Sequence, residues 1–263
     1  MCSKEYLDYR FPLFENFCLP SVKNQTCKNF RWLVLFDINT PDEYKQRAAQ
    51  WHSDFPNLIP CYLDYNAYGK PDYEKEAAEI ECNGELRKIT ARFIVDTVKS
   101  LSPEKTEWYL TTRLDSDDAL HRKMVESVQK RFTANPCQTV FDYPYSYKFI
   151  KEEKVVYRYT LLNGHFMTLV EAAGSGFRSV LFFNHLEISD YERVQHIYCS
   201  PLQTELVHGG NVVNDYTELT VKGLFYAFLH FRKNNFGYRN IAYSRVKALW
   251  MMGALLKRKI WRR

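Results

Sequence analysis

No C-x-x-C pair, no stretch near the roughly 18 apolar residues that cross a bilayer, and no low-complexity tract, internal repeat or linker-like boundary occurs in this sequence. The seven cysteines stand at positions 2, 18, 27, 61, 82, 137 and 199. Odd in number and widely spaced, they are expected to be reduced, mostly structural thiols of a cytoplasmic protein. The start at Met1 lacks a basic residue cluster followed by an apolar h-region, so no secretory leader is expected. Helix-turn-helix, zinc and RNA-binding signatures are missing too, and nucleic acid is not an expected partner.

What is present suits a globular unit. Of 263 residues, 46% are hydrophobic and 16% aromatic, enough for a sizeable core and suited to one large domain. The net charge of +5 conceals an asymmetry, because residues 232–263 hold ten Lys and Arg and neither Asp nor Glu. The rest of the chain carries 26 Lys and Arg against 31 Asp and Glu, a net −5. The same segment holds Leu249, Trp250, Met251, Leu255, Leu256, Ile260 and Trp261, so it is basic and apolar together. Such a helix either packs on the domain with a solvated basic face or lies on an anionic membrane surface. The expected division is a domain over 1–230 and a basic amphipathic helical tail over 231–263.

Apolar spacing predicts a helix over 10–24, with Pro12 tolerable in a first turn and Pro20 a kink. RWLVLFD (31–37) predicts a buried strand, 41–55 a helix opening on Pro and acids, and 58–64 a second strand. Residues 65–83 are polar and mixed. Helix follows at 84–100, strand at 107–114, helix from Met124 to Asn135, and strands at 138–142 and 155–161, while VLFF (180–183) also looks like a strand. Alternation of helix and strand through the first 140 residues predicts an α/β fold with a mostly parallel sheet between helices.

The strand at 107–114 ends in an acidic cluster, in WYLTTRLDSDDAL (108–120). Ligands of open α/β sheets bind outside the carboxyl ends of strands, where Asp115, Asp117 and Asp118 stand. Carboxylates this close repel one another unless a cation or hydrogen-bond donors neutralise them. A hard divalent cation, Mn²⁺ or Mg²⁺, is the economical partner, since it takes carboxylate oxygen and shares itself with phosphates. Two other readings stay open at this point. The acids can be a solvated helix start favoured by the helix dipole, or an aspartyl-nucleophile phosphatase pattern, although that pattern wants Thr or Val where Ala119 stands.

A second motif narrows the choice. PSVKNQTCKNFRWLVLFDINTP (20–41) resembles the opening of family-2-like glycosyltransferases of the GT-A fold, the nucleotide-diphospho-sugar transferase fold. The matching residues are Ser21, Gln25, Thr26, Phe30, Asp37 and Thr40. TARF (90–93) stands where that family often has Ala-Arg-Asn, and LDSDDAL where its Asp-x-Asp motif falls. YRFPLFENFCLPSVKNQT, TTRLDSDDAL, FMTLVE and VHGGNVVN together resemble the bacterial putative rhamnosyltransferase family within that fold, up to about residue 215.

The resemblance implies a metal-dependent, inverting transferase that moves a sugar from a nucleotide-sugar donor to a glycan or lipid-linked acceptor in surface polysaccharide synthesis. Asp37 would bind the nucleotide base or ribose, Asp115 the ribose or the metal, and Asp117 the metal, with Asp118 supporting the site from behind. His208 in VHGG would be a further metal ligand. The general base is sought among Glu187, Asp190 and Glu171, the first two preferred because they follow VLFF in a polar stretch. Lys88 and Arg92 would either steer the diphosphate or simply face solvent on their helix, and GSG (174–176) would form either an acceptor-side loop or a plain turn. In one respect the chain is expected to depart from the family: the strand that opens the GT-A fold is not expected among the residues before Phe11, whether through a late start, a fragment or a lost element. That departure keeps a second expectation alive, an inactive GT-A-like binding protein or membrane-surface adaptor.

Overall fold

Ser3 Oγ accepts Tyr6 N–H, and this cap starts helix α1 (Lys4–Leu13) six residues before the apolar spacing predicts. The computed structural model describes residues 3–65, 80–174, 176–209, 218–239 and 242–260. A wide π turn, Phe14–Cys18, continues the helix into α2 (Leu19–Lys23). Pro20 has no N–H to give the carbonyl of Asn16, so that carbonyl receives Arg239 N–H from the far end of the chain at 3.1 Å. The expected kink is thus a widened turn tied to the C-terminal region.

Strand β1 (Trp32–Asp37) pairs in parallel with β2 (Leu58–Leu63) across helix α3 (Asp42–Asp54). Leu7, Phe11, Phe14, Tyr44, Trp51 and Leu58 form the core between this unit and α1. The strand expected to be buried is not fully so: all six residues of β1 are half-exposed, because β2 is its one sheet partner and its other edge is unpaired among the described residues. No strand precedes it there.

After helix α4 (Ile80–Leu101) come β3 (Trp108–Thr112), the two-residue β4 (Ala119–Leu120), helix α5 (Met124–Ala134), and strands β5 (Thr139–Asp142), β6 (Tyr145–Ile150), β7 (Val155–Thr160) and β8 (Thr168–Ala172). Strands β9 (Val194–His196) and β10 (Gln203–Val207), and helices α6 (Val221–His230) and α7 (Arg245–Ile260), complete the order. Besides the β1–β2 pair there are two four-stranded sheets, β3-β8-β5-β9 and β4-β10-β6-β7. The expected mostly parallel sheet is therefore corrected to a mixed α/β arrangement. Pairs β1–β2, β6–β10 and β5–β9 are parallel, whereas β3–β8, β5–β8, β6–β7 and β4–β10 are antiparallel. The cause lies in the second half of the chain, where β6 and β7 form a hairpin and β8 returns between β3 and β5.

VLFF is likewise no strand. Val180–Phe182 forms a 3₁₀ turn, entered through Ser179 at φ 68° and pinned where Val180 N–H meets Thr111 Oγ1 at 2.9 Å. The basic segment expected as a tail is built into the fold: Phe231 and Phe236 are buried with Tyr147 and Phe149, and Ala248 and Met252 of α7 with Val155 and Leu224. Gly223 lets α6 lie against β7, since a Cβ there would stand 2.3 Å from the backbone oxygen of Arg158.

Candidate active site

Three long-range devices hold the acidic loop after β3. Ser21 Oγ accepts Leu120 N–H at 3.1 Å, Gln25 donates to the carbonyl of His121 at 2.9 Å and accepts Val125 N–H at 3.1 Å, and Thr26 N–H reaches the carbonyl of Arg122 at 2.7 Å. The Ser-x-x-x-Gln-Thr residues thus clamp 120–126 and set where the chain leaves the acids. Antiparallel pairing of β4 with β10 matches Ala119 to Thr204 and Leu120 to Gln203, which carries the acids toward His208 just past β10.

Asp117 is the hub. Its carboxylate receives both terminal nitrogens of Arg10, each at 2.9 Å, and lies 2.9 Å from His208 Nε2. Tyr9 Oη sits 2.7 Å from the other ring nitrogen of His208, and a third Arg10 bond reaches Ser116 Oγ at 2.6 Å. Burial would raise the Asp117 carboxyl, but the bonds from His208 and Arg10 outweigh it and hold the group below its ordinary value. Asp118, buried beside it, is pushed far up by desolvation and then by the charges of Asp117, Asp115 and Glu205. It accepts Leu206 N–H at 2.9 Å and so ties the loop to β10. Asp115 faces outward at half exposure, paired with Arg113 at 3.1 Å.

Both oxygens of Asp117 are engaged by Arg10 and His208, Asp115 is engaged by Arg113, and among the described residues no three His, Cys, Asp or Glu side chains are grouped to hold one ion. A divalent ion at Asp117 would compete with the guanidinium of Arg10 for the charge of the acid.

A second cluster adjoins the first and was not anticipated from sequence. Glu205, on β10, stands beside Lys148 of β6 in the parallel register, 3.7 Å from its ammonium, and accepts a hydrogen bond from the Tyr159 hydroxyl. His165 Nε2 lies 3.5 Å away, and Lys148 also binds Glu218 at 2.6 Å. Desolvation brings the Glu205 carboxyl up to about 7, against the pull of Lys148 and with help from the charges of Glu218 and Asp115. Burial lowers His165 to about 4, with the ring of His185 packed 4.6 Å from its own adding to the effect. The sequence signal was a lone carboxylate in QTELV, two residues before VHGG.

The other expected residues lie elsewhere. Asp37 ends β1 with its carboxylate closing a turn on Asn39 N–H at 2.8 Å. Lys88 and Arg92 occupy the exposed side of α4. Glu171 is buried on β8, where its oxygens accept Arg178 and Ser179 N–H at 3.1 and 2.9 Å, and burial raises its carboxyl. Glu187 is exposed and receives Asn184 at 3.2 Å, and Asp190 is exposed at the end of a 3₁₀ turn. Within GSG, position 175 lies outside the described residues.

Residues 1–68 match the model of the family described as "Putative rhamnosyl transferase". The matched span is narrower than the motif resemblance, and it supplies Tyr9, Arg10, Ser21, Gln25 and Thr26, all of which hold the acidic loop or His208. No curated protein matches the chain. No described helix is long and apolar enough to cross a membrane.

Proposed function

We propose that this chain is a glycosyltransferase that moves a sugar from a nucleotide-sugar donor to a hydroxyl of a glycan or lipid-linked acceptor, with rhamnose, the sugar in the family description, as the first donor to try. One observation carries the reading: the family-matched segment places Arg10 and Tyr9 directly on the Asp117–His208 pair at the end of β3. Ser21, Gln25 and Thr26 of its motif also hold the chain that leaves the acidic loop.

In the transfer, the acceptor oxygen bonds to the anomeric carbon while the bond from that carbon to the donor phosphate breaks and its electron pair leaves with the nucleoside diphosphate. The acceptor proton needs a base, and Glu205 is the carboxylate with the right character. It is mostly buried, balanced near neutrality, and oriented by Tyr159 and Lys148. Glu171 is occupied by the 178–179 backbone, and Glu187 and Asp190 remain solvated alternatives. Arg113, beside Asp115, is a cation positioned to meet the charge developing on the leaving group. A divalent ion, if recruited, would add further charge stabilisation there.

The test is release of nucleoside diphosphate from a panel of nucleotide sugars offered with glycan acceptors. Turnover should require Asp115, fall at least about a hundredfold in Glu205→Gln, and rise with pH through about 7 in the wild type. No release from any donor would sink the reading. That result would favour the second one, a transferase-like protein that binds without turnover, to which the engagement of Asp117 by Arg10 and His208 already lends support.

A further inference from the structure

Helix α7 is anchored by a narrow stripe. Ala248 and Met252 are buried against β7 and Leu224 of α6, and Met251 and Leu255 pack at their margin. The opposite side carries Val246, Leu249, Trp250 and Leu256, all exposed, with Val246 at 79% and Trp250 at 70%. Beside it on α6, Phe225 and Leu229 are exposed at the spacing of one helix face, with Lys222 one turn before them. Large apolar residues gathered in this way on a soluble surface mark a contact site, whereas single ones do not.

The charges borne by α7 itself have one sign, and of these Lys247 is paired with Glu153 at 2.5 Å. A groove of about 390 Å³ at the start of α7 is lined by Arg232, Lys233 and Arg245 with Phe231 and Tyr243. A neighbouring cavity of about 520 Å³ adds Arg122 and Lys123 and shares Arg232. Neither is lined by a carboxylate. Lys257 is exposed near the other end of the helix, and the sequence continues with Arg258, Lys259, Arg262 and Arg263.

An occupant must therefore take a tryptophan, a valine and leucines together with clustered cations. A phosphate backbone answers the cations and leaves the apolar side chains in water. A protein partner or second copy would need both an apolar groove and an acidic rim. An anionic bilayer surface offers both at once, acyl-chain boundary for the apolar side chains and headgroup phosphates for the basic ones.

We propose that α7, with the exposed face of α6, is a membrane-docking surface that inserts Leu249 and Trp250 into the interface of an anionic bilayer and takes lipid headgroups at Arg232, Lys233 and Arg245. The surface is independent of the transferase reading, and either can fail without the other. A consequence for a transferase would be confinement of the acidic site to the membrane plane, where a lipid-linked acceptor is concentrated.

The test is sedimentation of the full chain with vesicles of phosphatidylcholine alone and with added phosphatidylglycerol. Binding is expected with the second and not the first, and it should weaken with salt. Leu249→Glu/Trp250→Glu should lower it by about tenfold or more, Trp250→Phe should retain it, and Arg232→Gln/Arg245→Gln should lower both binding and its salt dependence. Thermal unfolding of each variant checks that the fold is kept, as Leu249, Trp250 and both arginines are exposed. Absence of binding to either vesicle, or equal binding by the Glu variant, would overturn the proposal. So would a dimer in sedimentation velocity that the Glu variant abolishes, which would give the face to a second copy.

Discussion

Replacing Arg10 by Met removes the partner that neutralises Asp117 while keeping much of the side-chain bulk. The side chains of the pair are 19% and 9% exposed and joined by two bonds of 2.9 Å, so solvent screens them weakly. Breaking one side of such a buried pair costs roughly 3–5 kcal/mol, mostly because it strands a charge. His208 still touches Asp117, which places the expected loss at the lower end, about 3 kcal/mol. For a chain of this size that corresponds to a fall in melting temperature of roughly 6–12 °C. Urea unfolding followed by tryptophan fluorescence measures it, with Asp117→Asn and the double variant completing a cycle. The double variant should lose clearly less than the two single losses added together, by about 1.5 kcal/mol or more. A loss below about 1 kcal/mol for Arg10→Met, the value of an exposed pair, or simple additivity, would refute the view that α1 locks the acidic loop.

Other expectations follow from the same geometry. The Glu205 carboxyl is raised in the fold to about 7 from an ordinary 4.5, so the folded state keeps a proton that the unfolded chain sheds; wild-type stability should fall as the pH rises between those values and level off above, and Glu205→Gln should lack this slope in urea midpoints taken across the range. Glu171→Gln should cost roughly 1–3 kcal/mol by weakening the hold on Arg178 and Ser179, yet leave turnover per folded molecule unchanged; a collapse of turnover at full folding would move the base to Glu171. Gly223→Ala should lift α6 from β7 and destabilise by roughly 1–3 kcal/mol in thermal unfolding, and an unchanged melting temperature would contradict the close approach to Arg158.

Local periodicity made much of the first half readable. The strands at 32–37, 58–63, 108–112 and 139–142 and the helices at 42–54 and 124–134 lie close to their expected bounds, since each is a run whose apolar spacing matches its own geometry. Sheet membership was less legible, because the register that puts β8 between β3 and β5 depends on pairings about sixty residues apart with β3 and about thirty apart with β5. The acids of LDSDD stood out by charge density alone. Their partners did not: Arg10 and Tyr9 look like ordinary exposed residues of a helix until that helix is packed across the end of β3, and Glu205 acquires its character only when Lys148 and Tyr159 arrive from neighbouring strands. The basic C-terminal segment was readable as an amphipathic helix, while which apolar residues it buries and which it shows to water required the fold.

The most direct measurement is calorimetric titration of UDP, dTDP and GDP into the chain, with Mn²⁺ and with chelator, beside Asp115→Asn. Asp115 is half-exposed, so its substitution should leave the fold intact. The account predicts that one of the three nucleotides binds the wild type and binds the variant about tenfold more weakly, the loss expected for one hydrogen-bonding group. Binding of none of them, or equal binding by the variant, would contradict the claim that the acidic loop is a nucleotide-sugar site.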